Sequence, residues 1–164
     1  MPMHTCSRPK RAILSAVIVG AIGLFSVVSG SDANAATDTA GLDPVLATSY
    51  THAADSAHRQ GIPLSITSGR RTVGEQERLW RNGIATYGSP RAARRWVLPP
   101  RESTHVTGHA IDVGPRSGAA WLAARGWRWG LCRTFVNEWW HFEVATVPGT
   151  RCPPMWPDAA ARRR

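Results

Sequence analysis

The sequence predicts an α+β domain, a small and mainly antiparallel sheet with flanking helices. Apolar residues recur at helical spacing in early segments, and short alternating or aromatic-rich runs follow in the second half. Helices and strands never settle into the steady alternation that a parallel sheet requires. The chain has 164 residues, which suits one domain, and 43% of them are hydrophobic with 8 Trp, which excludes a chain disordered throughout.

The first segment stands outside that domain. Arg8, Lys10 and Arg11 precede an uncharged apolar run over residues 12–31, and Ala33-Asn34-Ala35 follows as a small-x-small cleavage site. This is the pattern of a secretory signal over residues 1–35. An uncleaved membrane anchor is the alternative, because the run is near spanning length. Either way the remainder is expected outside the cytoplasmic membrane, secreted or at the cell wall.

Asp43-Pro44 reads as an N-cap followed by proline at the first helical position. Leu46, Tyr50, Ala53 and Ala57 continue that helix, and Gly61 and Pro63 stop it. PLSITSG (63–69) is a short strand ending in a turn. Thr72 and Glu75 form a capping box for a second helix, through Gln76, Leu79 and Trp80 to Gly83. Residues 84–104 lack periodicity and read as a long loop, a feature often functional in compact domains. HAIDVG (109–114) alternates like a strand. Ser117 is the expected cap of a helix through AAWLAAR, closed by Gly126; WRWGLCR and WWHFEVA are two further strands. Residues 148–164 form a proline- and arginine-rich tail of irregular structure.

Cys6 lies in the signal. Cys132 and Cys152 remain, an even number in an oxidising compartment, and are expected to form a disulfide that ties back the tail. The formal charge is +9 overall; the signal carries three basic residues and Asp32, so residues 36–164 hold +7, all of the positive charge as arginine. Such a protein adheres to anionic polymers, including those of a cell wall. No nucleic-acid-binding motif accompanies the charge, so no specific nucleic-acid partner is expected.

Chemistry concentrates in two stretches. STHVTGHAIDVG (103–114) offers His105, His109 and Asp112, and NEWWHFE (137–143) offers Glu138 and His141. Imidazole nitrogen and carboxylate oxygen are zinc ligands, and three protein ligands leave a fourth position for water. Asp112 sits in an otherwise apolar strand, where a carboxylate is costly unless paired or bound to a cation. His105, Asp112 and His141 are the expected metal ligands. Glu138 cannot easily share a strand face with His141 three residues away, so it is expected at the turn into the strand or at a bulge, from where it could act as general base. Trp139 and Trp140 are expected to wall the site and keep it dry. His109 is a rim or outer histidine by the same reading, with a ligand role as its alternative.

These motifs resemble the zinc D-Ala-D-Ala peptidases, the VanY-type carboxypeptidases and VanX-type dipeptidases, which share a fold with the hedgehog signalling domain. His105 and Asp112 lie within S-x-H-x-x-G-x-A-I/V-D, Glu138-Trp-Trp-His141 follows, and SITSGRR (65–71) is similar to the family's S-G-Y-R strand end. The likeness runs from about residue 43 to 147 and implies a hedgehog/DD-peptidase-like domain over residues 36–147. It implies one zinc ion per chain, held by His105, Asp112 and His141, with Glu138 as catalytic base. Arg71 matches the arginine that binds substrate and stabilises charge on the scissile carbonyl. Ser103 matches a serine near the substrate, and Gln76 a supporting glutamine. Arg70 replaces the usual tyrosine. The implied substrate is the peptidoglycan stem peptide, cut at its D-Ala-D-Ala bond by a monomeric enzyme. A dipeptidase, an L-Ala-D-Glu endopeptidase and a non-catalytic wall-binding module are the alternatives; an intact base and ligand set favours an enzyme.

Overall fold

The computed structural model describes residues 39–162. The signal expected over residues 1–35 lies outside them. Helix α1 (Pro44–Arg59) starts where Asp43 accepts from the amides of Val45 and Leu46. Strand β1 (Ser65–Ser68) leads to α2 (Val73–Tyr87), whose Thr72–Glu75 capping box is complete. A short helix α3 (Pro90–Ala93) follows, then β2 (Ala110–Gly114) and α4 (Arg116–Arg125). A 3-10 turn (Gly126–Trp129), β3 (Leu131–Arg133), β4 (His141–Val144) and a final 3-10 turn (Ala159–Ala161) complete the order. Among the described residues no helix is long and apolar enough to cross a membrane.

The sheet is fully antiparallel with strand order β1-β2-β4-β3. Its register decides what each face does. Asp112 pairs with His141, Ala110 with Glu143, and Ile111 with Phe142. Side chains alternate across a strand, so Ile111, Val113 and Phe142 face one way. There they meet Leu46, Tyr50, Ala53, Ala57 and Leu122 of α1 and α4 to form the core. Asp112, His141 and Glu143 face the other way, together.

Four local expectations need correction. Helix α2 runs past Gly83 to Tyr87 and ends at Gly88, which takes the left-handed conformation. Gly83 is a packing contact, since a Cβ there would lie 2.4 Å from Val97 Cγ1. Helix α4 begins at Arg116 after Pro115, without a Ser117 cap. The WRW stretch is a 3-10 turn rather than strand, and only Leu131–Arg133 pairs with β4. Finally, the 84–104 segment contains the end of α2 and all of α3, pinned by an Arg94–Glu102 ion pair.

Cys132 and Cys152 are bonded, with Cα atoms 5.7 Å apart. Closing a loop of this sequence separation, 20 residues, stabilises the folded chain by about 3 kcal/mol in the chain-entropy model. Reduction is therefore expected to lower the urea midpoint markedly; an unchanged midpoint in reductant would remove the bridge as a stabilising element.

Candidate active site

Two of the three candidate ligands sit on neighbouring strands, opposite one another, and the third arrives on a loop. Asp112 and His141 are paired across β2 and β4. His105 lies in the turn preceding β2, and Gly108 makes that turn possible. Its φ is +77°, and a Cβ would approach Gly41 O to 2.8 Å and Asp43 N to 3.1 Å. The loop after β1 is stitched to the same turn: the Arg71 amide donates to His105 O at 3.0 Å, and the His105 ring donates back to Gly69 O from Nδ1 at 2.8 Å.

Each imidazole is oriented by its other nitrogen. With Nδ1–H given to Gly69, His105 presents the Nε2 lone pair. His141 gives Nε2–H to Glu143 Oε1 at 2.9 Å and presents Nδ1. Asp112 Oδ1 completes the set. The three atoms form a near-equilateral triangle: 3.3 Å from His105 to His141, 3.3 Å from His105 to Asp112, and 3.2 Å from His141 to Asp112. All three residues are buried, and they can hold a metal ion together. A tetrahedral ion with bonds near 2.0–2.1 Å needs ligand atoms about 3.3 Å apart, so the donor set fits zinc in type and spacing.

Arg71 is engaged on every side. It donates to Asp112 Oδ2 at 2.6 Å, to Ser68 Oγ at 2.9 Å and to Gln76 Oε1 at 3.2 Å. Asp112 thus turns one oxygen to the triangle and the other to the guanidinium. Burial alone would raise its carboxyl, but the His105 and His141 hydrogen bonds outweigh that and hold it far below the usual range. Gln76, itself buried, also donates to Leu98 O at 2.7 Å and so fastens the 84–104 segment to Arg71.

Glu138 lies in the turn before β4, with Oε2 3.7 Å from His141 Nδ1. It is buried, and burial raises its carboxyl to about 7, against the smaller opposing pull of His141. His141 moves the opposite way from what burial dictates: hydrogen bonds to Asp112 and Glu143 outweigh desolvation and push it up to about 9. Glu143 is likewise drawn down to about 2, the burial penalty being overcome by His141 and Arg162.

The pocket above these groups is lined by Arg71, Ser103, Glu138 and Trp140, with Trp96 from the long segment and Arg162 from the tail. Trp140 is a wall. Trp139 is not: it packs against the core and under the Arg116 guanidinium, 5.0 Å from its ring centre. His109 lies away from the triangle, half exposed, with Nε2 3.6 Å from Asp43. Arg70 is exposed, its stem over Gly41, and is not among the pocket walls. Sequence reading missed Glu143 and Arg162. Glu143 was findable, because it stands two residues after His141 and shares its face; nothing local marks Arg162.

A buried His–Asp–His triangle able to hold one metal ion, with a buried carboxyl beside it on a small antiparallel sheet, makes this the site of a candidate single-metal protein. Comparison with known proteins gives the family. The family model of VanY, D-alanyl-D-alanine carboxypeptidase, matches residues 39–143, and the chain belongs to that family. A relative from Bacillus subtilis (strain 168), the putative carboxypeptidase YodJ, is 36% identical over 63 residues, 38% of this chain. That match spans only 23% of the relative's length. Among solved structures, a variant of the vancomycin-resistance D,D-pentapeptidase VanY in complex with Zn(II) superposes with a TM-score of 0.58 at 24% identity, covering 62% of this chain and 71% of that one. The LD-carboxypeptidase LdcB superposes at 0.55 and 23% identity, covering 62% and 58%. At these identities the likeness is one of fold, and it is the hedgehog/DD-peptidase-like fold that the sequence motifs implied.

Proposed function

We propose that this chain is a monomeric, extracytoplasmic zinc carboxypeptidase that hydrolyses the terminal D-Ala-D-Ala bond of peptidoglycan stem peptides. The observation that carries the reading is the triangle of His105 Nε2, Asp112 Oδ1 and His141 Nδ1, with spacing suited to one zinc ion and Glu138 at its edge. The disulfide and the net charge of residues 36–164 support action at an anionic wall outside the cytoplasm.

His105, Asp112 and His141 would hold the ion, which when bound supplies Lewis acidity toward water and the scissile carbonyl. Glu138 takes the proton of the attacking water and delivers it to the leaving amine; a carboxyl near neutrality suits both halves of that transfer. Arg71 holds Asp112 in place and brings a fixed positive charge to the pocket, where carbonyl oxygen or substrate carboxylate accumulates negative charge. Ser103 lines the pocket as a polar contact for the peptide.

Mass spectrometry of a synthetic stem pentapeptide ending in D-Ala-D-Ala, incubated with the protein and zinc, tests this directly. Loss of one D-Ala is the expected result. Release of a dipeptide or an internal cut would move the specificity to the dipeptidase or endopeptidase reading. A stem peptide ending in an L,D bond belongs in the same assay, because LdcB shares the fold. Zinc binding without any cleavage of peptide or wall fragments would favour a wall-binding module.

A further inference from the structure

The family match ends at residue 143, yet the chain continues and comes back to the metal site. Three anchors guide it. The Cys132–Cys152 disulfide fixes the return to β3. Trp156 then bridges the segment before Glu138: its amide donates to Thr134 O at 2.9 Å, and its carbonyl accepts from Val136 N at 2.9 Å. Asp158 pairs with Arg95 at 2.9 Å and caps the last 3-10 turn through Ala161 N. Ala159 is buried behind it. Arg162 follows this turn, largely buried, with its guanidinium 5.3 Å over the Phe135 ring.

That guanidinium meets Glu143 fork to fork, with contacts of 2.9 Å to Oε1 and 2.6 Å to Oε2. Oε1 also accepts from Thr104 Oγ1 at 3.0 Å and from His141 Nε2 at 2.9 Å. A carboxylate held by two parallel N–H bonds has its plane fixed as well as its position. Through that plane the direction of the His141 ring is fixed, and with it the aim of Nδ1 at Asp112 and His105.

We propose that Arg162 is a positioning residue for the metal centre: acting through Glu143, it holds His141 in the tautomer and orientation that present Nδ1 to the ion. The C-terminal tail is therefore a working part of the site. This rests on the reading that the triangle binds zinc. Outer partners of metal-bound histidines are worth about 10–100-fold in metal affinity, and a lysine cannot replace the fork of an arginine.

The test is zinc affinity of the full chain by competition with a chromophoric chelator. Wild type, Arg162→Ala, Arg162→Lys, Glu143→Gln and the Arg162→Ala/Glu143→Gln double variant are compared, with the melting temperature of each metal-free protein. Arg162→Ala is expected to weaken zinc binding about tenfold or more. In the Glu143→Gln background the same change should add little, because the path has already been cut. Arg162→Lys keeps the positive charge beside Glu143, so it guards against a folding failure; its affinity should fall between the two. Histidine 15N shifts of the zinc-loaded proteins supply a second readout: His141 protonated on Nε2 with Nδ1 at the metal in wild type, and loss of that single pattern in Arg162→Ala. Affinities of Arg162→Ala and Arg162→Lys within about twofold of wild type would overturn the inference, well below the outer-partner effect. So would an equal loss in the Glu143→Gln background. A wild type that binds no zinc would overturn the metal reading and this inference with it, an outcome distinct from zinc held equally by every variant.

Discussion

Glu138→Gln is expected to keep its metal and lose turnover. The substitution preserves shape at a buried position in the turn before β4 and leaves His105, Asp112 and His141 untouched. What it removes is the ability to take a proton. General-base assistance is worth about 10²–10⁴ in rate, so kcat should fall by at least about a hundredfold at an unchanged zinc stoichiometry. The pH profile supplies an independent check. Burial raises the Glu138 carboxyl to about 7, and a base works only when deprotonated, so activity should rise with pH through that region. A dication near the carboxyl favours its ionised form, which places the limb at or below pH 7. Wild-type turnover in Glu138→Gln, measured on the stem pentapeptide, would remove the residue from the mechanism.

His141→Ala is the second large effect. The ring is the meeting point of the site. Its Nδ1 closes the triangle, its Nε2 donates to Glu143, and its face lies near Phe135 with ring centres 5.1 Å apart. Removing a ligand should cost more than the 10–100-fold typical of an outer partner, so zinc should be lost at micromolar concentrations. Thermal stability reports it cleanly. Wild type held at zinc about a thousandfold above its Kd gains about 4 kcal/mol from binding; the variant should show no zinc-dependent shift in melting temperature. A variant that still carries one equivalent of zinc would take His141 out of the ligand set.

The centre of the site was legible because its residue types are metal ligands and its motifs resemble a known family. Asp112 stood out as a carboxylate in an otherwise apolar strand, His141 as an imidazole in the second motif, and a three-residue offset kept Glu138 off the His141 face. The capping box of α2 and the Cys132–Cys152 pair were equally plain, being local chemistry and simple parity. Misread features depend on contacts that a local window cannot contain. Gly83 looks like a helix stop until Val97 is seen filling the space its side chain would need. Trp139 and Trp140 are neighbours in sequence, yet one faces the core and the other the pocket. Gln76 reaches Leu98, Arg95 reaches Asp158, and Arg162 reaches Glu143, all across separations where residue type alone sets no partner.

Pairing Asp112 with His141 across adjacent strands has a consequence for how such a protein can change over time. Two of the three candidate ligands stand on the ladder itself, where a one-residue slip would turn every side chain to the wrong side. The pocket wall around Trp96 hangs on anchors of its own, the Arg94–Glu102 pair and the Gln76 amide. Substitutions in that wall can accumulate without disturbing the ladder. On the function proposed above, this arrangement would let preference for one wall bond drift into another while the metal ligands stay in place.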